Sequence, residues 1–146
     1  MNSDFTSSWL IWALLSAAFA ALTAILAKIG VEGVNSDLAT FIRTAVVLAS
    51  LALLLFATGQ FAAPGPIPAK SWLFLSLSGL ATGASWLCYF RALKAGPATL
   101  VAPVDKLSVV LVALFGVVIL GERPSASGWL GIGLIAAGVT VIALRR

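Results

Sequence analysis

The chain has 146 residues, 61% of them hydrophobic and only 10% charged, and a mean hydropathy of +1.10. A soluble domain is about a quarter charged, so this composition excludes a water-facing surface, makes lipid the expected solvent and leaves no room for a soluble domain. The formal charge of +4 comes from basic residues standing singly near segment ends, not from the basic patch that a nucleic-acid partner requires.

Five apolar stretches, each near the twenty residues that cross a bilayer, follow one another and predict a single all-α unit of five transmembrane helices spanning residues 1–146. The first is Trp9–Ile29. Met1–Ser8 before it carries Asp4 and no Lys or Arg, so it lacks the basic head of a signal peptide, and the stretch reads as a retained span. Ser16, Ala20 and Thr23 give it a weak small-residue stripe. Gly30–Asp37 breaks the helix, with Ser36 or Asp37 as the predicted N-cap of the next.

The second span, Leu38–Ala57, contains Arg43. This side chain either reaches back to the headgroups and pairs with Asp37 or Glu32, or faces a cavity and pairs with Asp105. Thr58–Ser71 is the longest break, and its Pro64-Gly65-Pro66-Ile67-Pro68 run cannot continue a helix.

The third span is Trp72–Tyr89. Ser71, Ser78, Thr82, Ser85 and Tyr89 recur at helical spacing and fall on one face. Gly79, Gly83 and Trp86 form the neighbouring stripe, a GxxxG pattern. Small residues let helices approach closely, so this side is a packing face or the polar wall of a path. Trp86 and Tyr89 belong either to the interfacial aromatic belt, with Trp9, Trp12, Trp72 and Trp129, or to a cavity. Cys88, the one cysteine, reads as a buried small hydrophobe. The Arg91–Pro97 break ends in Gly96-Pro97.

The fourth span, Ala98–Leu120, holds the adjacent Asp105–Lys106 pair within its apolar run. Charges in hydrocarbon are rare and are functional suspects by default. Pro103 removes a backbone donor and predicts a kink, and Ser108 shares the face of Asp105. Neighbouring helical side chains point about 100° apart, so the two charges need not satisfy each other. They form either a snorkelling or helix-end pair, or a cavity-lining pair that meets a polar substrate or coupling ion; the second reading is preferred. Gly121–Ser127 stops the helix and restarts it. In the fifth span, Trp129–Leu144, Gly131, Ile135 and Gly138 suit a packing face.

Lys/Arg bias between loops sets orientation. Lys70 and Arg123 lie on the N-terminal side, against Lys28, Arg91, Lys94, Arg145 and Arg146 on the other. An outside N-terminus and a cytoplasmic C-terminus in the inner membrane follow. No histidine is present and the single cysteine cannot build a metal site or an internal disulfide. With no HExxH, Walker or GxGxxG motif either, an enzyme, a metal and a cofactor are not expected.

Several stretches together resemble the EamA repeat of the drug/metabolite transporter superfamily. They are Tyr89-Phe90-Arg91-Ala92-Leu93-Lys94-Ala95-Gly96-Pro97-Ala98, Val101-Ala102-Pro103 and Leu120-Gly121-Glu122-Arg123-Pro124, with Ala27-Lys28-Ile29-Gly30 through Arg43-Thr44 fitting more loosely. The resemblance covers essentially the whole chain. It implies a transporter of amino acids, nucleotide-linked or other small metabolites, or drugs, often an exporter, whose usual members hold two five-helix repeats in opposite orientation. Helices one to four of each repeat line the path and the fifth supports it. A single repeat then needs its second half from another subunit, a second copy or a homologous five-helix chain.

The expected function is that of a gradient-driven half-transporter working by alternating access. Asp105, Lys106, Arg43, Ser108, Ser78, Thr82, Ser85, Trp86 and Tyr89 are the candidates for its path. Asp105 is the one carboxylate deep enough to carry a proton. The alternative is a non-transporting membrane subunit or a modulator of a larger transporter.

Overall fold

The computed structural model describes residues 3–62, 65 and 67–144, with side chains for all of these except 3–8 and 62. Met1 and Asn2 at the head of the chain, Pro64 and Pro66 of the long break, and Arg145 and Arg146 of the orientation count lie outside the described residues. The described chain is all helical: α1 Ser3–Val31, α2 Ser36–Ala57, one 3-10 turn at Gln60–Ala62, α3 Ala69–Ala95, α4 Ala98–Asp105, α5 Ser108–Leu120 and α6 Ala126–Leu144. Among the described residues five stretches are long and apolar enough to cross a membrane, with α4 and α5 together making the fourth. This is a multi-pass membrane protein.

Local chemistry explains the boundaries. Asn35, not Ser36 or Asp37, caps α2: its side-chain oxygen accepts from the Asp37 and Leu38 amides at 2.9 and 3.1 Å. The predicted caps lie one and two residues too late because Asp37 is drawn away to another helix. Gly33 at φ 73° closes the turn between α1 and α2. The third helix runs six residues past the predicted end at Tyr89. Arg91-Ala92-Leu93-Lys94-Ala95 are strong helix formers, and the stop comes only at Gly96-Pro97. Gly121, left-handed at φ 71°, ends α5, and the Glu122 amide folds back to the Gly116 carbonyl at 3.0 Å. Ser125 then opens α6, its hydroxyl oxygen accepting from the Gly128 amide at 3.1 Å.

The fourth span is not one helix. Lys106 and Leu107 donate to the Pro103 and Val104 carbonyls, and Val109 and Val110 donate to those of Lys106 and Leu107. These i→i+3 bonds tighten the ladder into a 3-10-like break. The predicted kink at Pro103 is thus a two-residue interruption just after it.

The molecule divides into two compact units: Leu26–Ala95, and the chain up to Ile25 together with that from Gly96 onward. In the Leu26–Ala95 unit α2 packs on α3, and the core sits at one end. Val31, Phe90 and Leu93 are 1%, 3% and 0% exposed, with Ala27 and Thr40 buried beside them. In the other unit α6 packs on α4 and α5. Its inward face is Gly128, Ile132, Ala136 and Val139, all buried or half-buried. The expected Gly131, Ile135 and Gly138 face is corrected: no atom lies within 4 Å of a Cβ added at either glycine, and Ile135 is exposed. A helix apolar all round carries no pattern to distinguish one face from the next.

Several hydroxyls in the spans are satisfied locally. Thr40, Thr44, Ser50, Thr82 and Thr140 donate to the carbonyl four residues earlier at 2.8–2.9 Å. These five carry no unsatisfied hydroxyl donor into hydrocarbon.

Candidate functional site

Within the Leu26–Ala95 unit the polar groups form two tiers. The lower tier ties helix ends together. Lys28, in the last turn of α1, donates to the Leu93 carbonyl at 2.7 Å, and Lys94, in the last turn of α3, donates to the Val34 carbonyl at 2.7 Å. The last carbonyls of a helix have no partner inside it, and an ammonium suits the negative end of the dipole. Arg91 grips Asp37 with two parallel bonds, Nε at 2.9 Å and Nη2 at 2.8 Å. The carboxylate stands in the first turn of α2, where the dipole favours it. Reading Lys28, Arg91 and Lys94 only as orientation charges missed this clasp. Their positions in the last turns of apolar periodic runs were the signal available.

The upper tier is built on Arg43. Asp37 is taken by Arg91, so the expected Arg43–Asp37 pairing does not form, and no pair to Glu32 forms either. Instead the guanidinium carbon lies 4.0 Å from the centre of the Trp86 ring and 5.8 Å from that of Phe90. Trp86 and Phe90 are one helical turn apart on α3, so both rings serve one cation. A guanidinium over an aromatic face gains about 0.5–2 kcal/mol. Arg43, Trp86 and Tyr89 are half-buried, and Tyr89 lies three residues from Trp86 on the same side of α3. The structure therefore unites Arg43 with Trp86, a contact the two residues did not suggest separately.

The hydroxyl face of α3 is open. Ser78, Thr82 and Ser85 are exposed, and Thr82 bonds back to the Ser78 carbonyl at 2.9 Å. Nothing lies within 4 Å of a Cβ added at Gly79 or Gly83, so within the Leu26–Ala95 unit no helix fills the GxxxG stripe. Cys88 is exposed rather than buried.

In the other unit Asp105 is the last residue of α4, Lys106 caps it and Ser108 begins α5. The Lys106 ammonium is 3.3 Å from the Asp105 carboxylate, with side chains 55% and 37% exposed. The expectation that the two need not satisfy each other is corrected. Lys106 is the C-cap of α4 at φ −70°, ψ −4°, where the ladder tightens, and its flexible stem reaches back to the carboxylate. The pair thus sits at a helix end, half-exposed. The Leu120-Gly121-Glu122-Arg123-Pro124 motif is the α5 stop: the Glu122 carboxylate lies against Gly116, 2.8 Å from where a Cβ would stand.

Among the described residues no group of three metal-ligating side chains comes together.

The profile of the EamA-like transporter family matches residues 7–144. The chain belongs to this family. An uncharacterized transporter from the cobO 3′ region of a Sinorhizobium species is 60% identical over 139 residues, covering 95% of this chain and 99% of that protein. The uncharacterized transporter YxxF of Bacillus subtilis is 29% identical over 145 residues, covering 99% of this chain but 45% of its own length. No solved structure matches the chain. An EamA-like chain of this size therefore has both a relative of its own length and one about twice as long.

Proposed function

We propose that this chain is one five-span half of a gradient-driven transporter for a small polar metabolite, amino acid or drug, and that it exports its substrate. The observation that carries this reading is the pair of coverages. The chain matches one relative along 99% of that protein and another along only 45%, and both relatives are named as transporters. Two halves facing each other across a midplane site are the general logic of alternating access. The shorter chains supply the second half as a separate subunit, a second copy or a homologue.

The open face of α3 supports such pairing. Left in lipid, Ser78 and Ser85 would face hydrocarbon beside a vacant GxxxG groove. A second subunit covers them and uses the close approach that Gly79 and Gly83 permit. Asp105 carries the coupling proton and Lys106 holds it in place. Arg43 and Trp86 meet the substrate, with Tyr89 beside them. The protein resides in the inner membrane with its N-terminus outside.

Purified protein in sealed vesicles, screened with metabolites under an imposed proton gradient, tests this directly. The expected result is gradient-dependent flux of at least one polar solute, abolished in Asp105→Asn. That variant inserts and folds normally, since a half-exposed ion pair is worth only about 0.2–1 kcal/mol. Unchanged flux in Asp105→Asn would remove Asp105 from the mechanism. No flux for any solute would favour the non-transporting subunit instead.

A further inference from the structure

The guanidinium of Arg43 is oriented but not satisfied. Its carbon lies over the Trp86 ring, 4.0 Å from the ring centre, and 5.8 Å from that of Phe90. Phe90 is 3% exposed and packed in the core. Stacking uses the flat face of the cation and leaves its N–H edge in the ring plane. Among the described residues that edge makes no hydrogen bond and no ion pair. Five donors of a half-buried arginine inside a span are costly to leave without an acceptor.

Among the described residues of the Leu26–Ala95 unit no side chain accepts a hydrogen bond from Arg43. Asp37 is held at both oxygens by Arg91. The threonine hydroxyls that flank Arg43 along α2, Thr40 and Thr44, both donate to their own helix carbonyls at 2.8 Å. The lysines at this end of the unit are also committed, Lys28 to the Leu93 carbonyl and Lys94 to that of Val34, and Lys70 stands in the first turn of α3, at the helix's other end. One cation with its fork free therefore stands on an aromatic wall, with no second uncommitted cation beside it in this unit.

We propose that Arg43 binds the carboxylate of a small organic monoanion, held by the guanidinium fork with the half-buried Trp86 ring as the adjoining wall. The planar fork matches a carboxylate with two parallel N–H···O bonds. One positive charge matches one negative charge, whereas a phosphate dianion needs a second cation. The inference rests on the transporter reading for its physiological meaning, and it names the substrate class for the same site.

The test uses Trp86 as its own reporter. Trp9, Trp12, Trp72 and Trp129 are replaced by Phe, and the full chain is placed in phosphatidylcholine nanodiscs. Emission is then titrated with propionate, with neutral propionamide and with inorganic phosphate. A saturable change with propionate is expected, none with propionamide, and a weaker response to phosphate. Arg43→Gln should abolish the response, and Arg43→Lys, which keeps the charge and loses the fork, should raise the midpoint at least about tenfold. If Arg43→Gln proves unfolded by circular dichroism, Arg43→Lys alone decides.

An equal response to propionamide, an unchanged midpoint in Arg43→Lys, or tighter binding of phosphate would overturn the proposal. So would a Trp86 signal already saturated in phosphatidylglycerol discs and unresponsive to propionate there, which would assign the fork to a lipid headgroup. Binding of propionate without flux of any carboxylate in sealed vesicles would contradict the transporter reading and leave the anion site standing. Flux without such binding would do the reverse.

Discussion

Lys28 shows how a charge that looks like a topology signal can hold a fold. Its ammonium reaches the Leu93 carbonyl at the end of α3 at 2.7 Å, and Leu93 itself is fully buried. Lys28→Met keeps most of the stem and removes the donor, leaving that carbonyl without its charged partner. A lost charge-assisted bond to a buried acceptor costs about 1–3 kcal/mol. The variant should insert normally and lose stability by that amount in reversible unfolding from detergent, while Lys70→Met, whose side chain is exposed on α3, should not. Equal stability of the two would show that the carbonyl is satisfied by other means. At this scale the sequence named the right chemistry with incomplete partners. Arg43 was legible as a buried cation seeking a contact, yet its contact is a ring system on another helix, and no spacing rule connects positions 43 and 86. Asp105 and Lys106 were legible as a pair, but their mutual bond forms at a backbone break that adjacent residues do not announce.

The helices themselves were readable because apolar length is the strongest signal a membrane chain carries. Their ends were less so. Asn35 displaced the expected caps, and α3 ran on through Arg91 and Lys94 because helix propensity persists until Gly96-Pro97. Packing faces were the least legible: α6 turned Ile132, Ala136 and Val139 inward where small residues at Gly131 and Gly138 had suggested another side. Hydropathy identifies a span but cannot orient a segment that is apolar on every face. The GxxxG stripe of α3 gives a prediction at this scale. With nothing near Gly79 or Gly83 within the Leu26–Ala95 unit, Gly83→Leu has no clash to create there. It should leave helix content and monomer stability unchanged and reduce the two-subunit fraction in native membranes at least several-fold, read by cross-linking. An unchanged two-subunit fraction would mean the stripe faces lipid. Ser50→Leu on α2, exposed as well, is the control expected to alter neither property.

For the whole molecule, orientation and assembly pull in different directions. Lys70 and Arg123 on one side, against Lys28, Arg91 and Lys94 among the described residues on the other, favour an outside N-terminus. All three of the latter are also occupied in the helix-end clasp, so their structural role and their topological role coincide. Reporter fusions at the two termini should give a cytoplasmic signal at the C-terminus for most molecules; equal signals on both sides would establish dual insertion. A path enclosed by two oppositely oriented halves then requires either a minority of inverted copies or a homologous partner of opposite bias. The most direct test is cross-linking through a single cysteine at position 82, in a Cys88→Ser background, in native membranes whose flux is followed in the same sample. The predicted result is a product of two-subunit size, formed between antiparallel neighbours, whose appearance parallels loss of flux. A chain that remains monomeric and still transports would contradict the half-transporter.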